Sequence, residues 1–97
     1  MGINAGIQRN MEGIIDIIEN LDTKRQQLVL AVSQFECYPA TVHSRKKVTL
    51  VVGEYIKLLR LAREHVQTIW WIHKYWTGIV DLYDRCFYEL VERAMRH

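Results

Sequence analysis

The chain predicts an all-α fold, an antiparallel helical hairpin with coiled-coil-like packing, on three observations. Two apolar stripes alternate four- and three-residue spacing, one proline lies between them, and the second stripe is much longer than the first. The longer stripe reads Val48, Val52, Tyr55, Leu59, Ala62, Val66, Ile69, His73, Trp76, Val80, Tyr83, Phe87, Leu90, Ala94. Thirteen of its fourteen positions are apolar in a chain that is 49% hydrophobic, so the pattern is far from a chance filling. The 97 residues suffice for one helical domain, residues 1–97, with a modest core. One proline, five glycines and 25% charged residues exclude collagen-like and disordered classes.

The first helix is expected over about 3–37, on the stripe Ile7, Met11, Ile14, Ile18, Leu21, Arg25, Leu28, Val32, Phe35. Arg25 is the one polar residue of that stripe, the kind of interruption that sets register, and either meets Glu54 across the hairpin or snorkels to solvent. Pro39 removes a donor and pushes Tyr38 out of helical geometry, which places a turn at about 38–44. Thr41 or Ser44 then caps the next helix.

The second helix is expected over about 45–96. At 1.5 Å per residue it would run roughly 80 Å against roughly 50 Å for the first, which gives out near residue 77 or 78. Ile79, Val80, Leu82, Tyr83, Cys86, Phe87, Leu90 and Val91 lie beyond that point, and such an apolar face needs cover. Either the chain bends near Gly78 into a monomeric three-helix bundle, or the helix continues and is covered by a second chain. A helical glycine costs only about 1 kcal/mol and the stripe crosses Gly78 in phase, which favours the continuous helix. Val51, Leu58, Ile72 and Ile79 on one flank, with Ile56, Trp70 and Val91 on the other, widen the apolar arc. Two or more partner helices are then required, and a dimeric four-helix bundle is the preferred form, with the three-helix monomer as the alternative.

Charge is uneven along the chain. Residues 1–40 carry net −2, residues 41–76 net +5 and residues 77–97 net −1, a pattern that favours antiparallel packing. Asp81–Arg85, Glu89–Arg93 and Glu92–Arg96 are spaced to pair along one helical face. Cys37 and Cys86 fall far apart along the helices and are expected as free thiols of a reducing compartment. No secretory pattern opens the sequence and the longest uncharged run, Gln26 to Phe35, is half a bilayer span, so a cytoplasmic protein is expected.

Candidate functional residues fall into three groups. His43, Arg45, Lys46 and Lys47 crowd a helix N-terminus, where cations oppose the helix dipole; a solvated loop edge is the simpler reading, and a phosphate, a nucleic acid or an acidic partner is the functional one. Trp70, Trp76, Val80, Tyr83, Phe87 and Leu90 read as an oligomer interface, since large aromatics anchor such surfaces. His65 and His73 read as core histidines, because no metal-ligand spacing surrounds them. No glycine-rich phosphate loop, nucleophile–base–acid order or paired carboxylates occur, so neither an enzyme nor a cofactor is expected. The expected function is non-enzymatic assembly or adaptor work through helical interfaces, with the chain itself and a further protein as partners. The alternative is nucleic-acid binding or packaging through residues 43–47 and the second helix.

Overall fold

Helical periodicity turns into three helices: α1 over Gly2–Cys37, α2 over Val42–Gln67 and α3 over His73–Met95. The computed structural model describes the backbone over residues 2–37, 42–67 and 73–96, and the side chains over 13–37, 42–67 and 74–96. All described residues but the last turn are helical, and the three helices pack together.

Cross-helix contacts fix the directions. Lys24 meets Glu54 at 2.9 Å, and a Cβ at Gly13 would lie 2.8 Å from the His65 ring, so α1 and α2 run antiparallel. Tyr83 bonds Asp22, and Arg93 pairs with Glu36, so α3 runs parallel to α1. Gly13 sits level with His65, two residues from the end of α2, and the first turns of α1 therefore run past it. Those turns help to give the long dimension of 57 Å, of which 36 residues of α1 account for about 54 Å at 1.5 Å each.

The hairpin expectation holds for α1 and α2, but the preferred continuous second helix does not. Tyr55 Oη lies 2.7 Å from the Tyr83 carbonyl, whereas one straight helix would hold those residues about 42 Å apart. The chain reverses between Gln67 and His73, not at Gly78, which lies inside α3. Residues 68–72, between the two helices, lie outside the described residues. Gly78 is exposed on the outer side, where its missing side chain is asked for nothing.

Both stripes face inward as their spacing requires. Ile14, Leu21, Leu28, Val32, Tyr55, Ala62 and Val80 are at most 1% exposed, and Leu59, Val66, Phe87 and Leu90 complete the core. The wide arc is also used within one chain: Val51 is buried, and Ile56, Leu58 and Val91 pack against the core. Apart from the exposed Leu82, the apolar face that was expected to await a second chain is buried or half-buried by fold-back, the three-helix alternative.

One polar node ties the three helices at a single level. Asp22 Oδ1 on α1 accepts from Arg25 at 3.1 Å and from the Tyr83 hydroxyl at 3.1 Å, while Tyr55 of α2 donates to the Tyr83 carbonyl. Arg25 therefore pairs one turn back along its own helix, and Lys24 takes Glu54 in its place. Hydrogen bonding from Arg25, then from Tyr83, holds the Asp22 carboxyl below its ordinary range. Burial pushes the Tyr55 phenol well up, and burial followed by the bond to Asp22 raises that of Tyr83.

Candidate interaction surface

At the end of the bundle where α1 leads into α2, the helices leave a trough of about 460 Å³. Val32 and Phe35 of α1, 0% and 8% exposed, are the buried part of its lining. Arg45, Val48, Thr49 and Val52 line it from α2; Val91, Ala94 and Met95 line it from α3. The Val, Thr and Ala side chains of its lining are short and leave the space between the helices unfilled. Met95 is 80% exposed on one lip, an unbranched apolar side chain held in water.

The other lip is cationic. Arg45 and Lys46 are exposed in the first turns of α2, and Arg60 lies further along its solvent side, whereas the exposed Lys57 borders the groove between α1 and α2. Among the described residues none of these four forms an ion pair. Other cations are paired, Arg63 with Asp81 and Asp84 at 3.0 Å each, Arg93 with Glu36, and Arg96 with Glu92, whereas Lys74 and Arg85 of α3 are exposed and, among the described residues, also form no ion pair. Of the three pairs expected along the last helix only Glu92–Arg96 forms, because Asp81 and Arg93 are drawn across to α2 and α1.

The four residues of the basic cluster share the start of α2 but not one surface. Arg45 lines the trough, whereas Lys47 turns the other way, 3.4 Å from Gln34 of α1. His43 is exposed, and Ser44 is buried within the helix and so does not precede it as a cap; Thr41 lies outside the described residues. Of the expected oligomer interface, Val80, Phe87 and Leu90 are buried inside this chain, and Trp76 and Tyr83 are half-buried against the same core. They are core residues because α3 folds back; Trp70 lies outside the described residues. The His65 ring packs against Gly13, in keeping with a structural histidine, and the side chain of His73 lies outside the described set. Cys37 and Cys86 are free, the first exposed and the second half-buried.

Sequence reasoning missed the trough as a unit. Val48, Val52 and Ala94 were visible only as seam positions, and Val32 and Phe35 only as core. Met95 stands outside the stripe, one residue past Ala94, which was the one available signal. Among the described residues no helix is long and apolar enough to cross a membrane. Comparison with family models, with curated proteins and with solved structures gave no match.

Proposed function

We propose that the protein is a non-enzymatic helical adaptor or assembly module that works through protein–protein contacts at the open end of its bundle. The trough carries this reading: an apolar floor from three helices, an exposed Met95 on one lip and unpaired cations on the other. Apolar centres with polar rims are the anatomy of protein interfaces. Self-association, with a homodimer as its finest form, belongs to the same proposal on a narrower basis. Its support is now the exposed Tyr75, Leu82, Tyr88 and Met95 of α3, in place of the buried seam residues.

Nucleic-acid binding keeps one supporting observation, the unpaired Arg45, Lys46, Lys57 and Arg60 along α2. The aliphatic lining of the trough speaks for a protein instead, since bases stack on open aromatic faces.

Site-specific photocrosslinking in the native host tests the proposal. A benzophenone side chain at position 95 should give a discrete protein adduct, and one at Glu19 on the solvent side of α1 should not. An adduct of twice the chain mass identifies self-association. Adducts to nucleic acid alone, or the same adducts from both positions, would defeat the reading.

A further inference from the structure

We infer that the trough receives an acidic amphipathic helix of a partner protein, its apolar face on Val48, Val52, Val91 and Met95 and its acidic edge along Arg45 and Lys46. The inference rests on the adaptor reading and names the chemistry of the partner. Charge complementarity selects the occupant. Arg45 is the cation that lines the trough, on its α2 lip, and among the described residues neither it nor the adjacent Lys46 forms an ion pair, while Arg93 and Arg96 at the end of α3 are held by Glu36 and Glu92. A partner of either neutral or basic character would leave that lip uncompensated. Arg45 and Lys46 also stand in the first turns of α2, where the helix dipole is unfavourable to them, and a carboxylate there offsets both.

Dimensions select a helix. From Arg45 to Val52 the lining covers two turns, about 10 Å, which matches apolar groups at i, i+3 or i+4, and i+7 on an inserted helix. Arg60 lies about 22 Å along α2 from Arg45, so a partner of four turns spans the distance to Arg60. A nucleic acid meets the cations but leaves Met95 and the aliphatic floor in water, and Phe35, at 8% exposure, offers no ring for stacking.

The test is fluorescence anisotropy with three probes on the full chain: a labelled peptide of about 18 residues with a leucine face flanked by glutamates, its isomer with lysines replacing the glutamates, and a generic DNA duplex. The glutamate peptide should bind, and the lysine peptide should not. Arg45→Glu/Lys46→Glu and Met95→Glu should each weaken binding about tenfold or more. All three positions are exposed, and glutamate suits the start of a helix, so circular dichroism should show both variants folded. Equal binding of the two peptides, no binding of the glutamate peptide, indifference to both variants, or tighter binding of the duplex at physiological salt would each overturn the inference. A protein adduct at position 95 alongside any of these results keeps the adaptor reading and removes only the acidic helix. Absence of both removes the reading itself.

Discussion

Replacing Tyr55 by phenylalanine should lower stability at neutral pH and raise it, relative to the parent, in strong alkali. Tyr55 is 0% exposed, its ring centroid lies 5.1 Å from that of Phe87, and its hydroxyl bonds the Tyr83 carbonyl at 2.7 Å. Phenylalanine keeps the ring contacts and removes one buried hydrogen bond, about 1 kcal/mol. In a domain of this size that lowers the thermal midpoint by about 4–8 °C. The pH dependence follows from burial, which pushes the phenol above its ordinary value near 10. A raised folded-state value means that the stabilisation is complete below pH 10 and is lost as pH rises toward the folded value, because only the unfolded chain ionises there. The loss is about 1.4 kcal/mol per pH unit, so parent and variant should be equally stable between pH 10 and 11, and the variant more stable above. Urea unfolding followed by circular dichroism, on both proteins at each pH, gives the difference directly. A difference that is zero at pH 7, or that stays constant from pH 8 to 11, would refute the buried, hydrogen-bonded phenol.

Phe87→Ala should lower the thermal midpoint by the equivalent of about 3–5 kcal/mol, independently of protein concentration, because Phe87 is core within one chain; a midpoint that shifts with concentration in the parent and not in the variant contradicts this. Gly78→Ala should stabilise by about 1 kcal/mol, since the site is exposed, helical and open around the added methyl. Gly13→Ala should gain less, because its methyl would lie 2.8 Å from the His65 ring, which has to swing aside; equal gains in a parallel thermal scan would deny that contact. The Asp22 carboxyl is held low by Arg25 and Tyr83, so its contribution is present above its ordinary value near 4 and is lost as pH falls through the lowered one. Asp22→Asn should therefore flatten the acid limb of the stability curve measured by urea titration from pH 5 to 2, and an unchanged limb would exclude the node.

Much of the fold was legible because burial follows period. Ile14, Leu21, Leu28, Tyr55, Leu59, Val66, Val80 and Phe87 were all marked by spacing alone, and all are core. The reversal after Gln67 was not legible, and the reason is geometric. Val66 and Val80 belong to one stripe whether the axis runs straight or doubles back, since either arrangement buries it, against a second chain in the first case and within the bundle in the second. In-phase periodicity across residues 66 to 80 gave no mark of the reversal. Arg25 was visible as an anomaly, but Asp22 one turn away outcompetes the distant Glu54. Of the candidate site, the charge on Arg45 and Lys46 was readable, while the trough was not. It is lined by residues of α1, α2 and α3 together, a tertiary property with no local pattern.

The account stands on α3 folding back over α2, because that closure both buries Phe87 and Leu90 and forms the trough. The direct measurement is a spin-label distance between Lys46 and Glu92, both exposed, in a cysteine-free background diluted with unlabelled protein. With helix axes about 10 Å apart, the closed bundle predicts a single intrachain distance under about 30 Å. A continuous helix from residue 46 to residue 92 would place the same labels about 69 Å apart, and that result would contradict the closure and the interaction surface built on it.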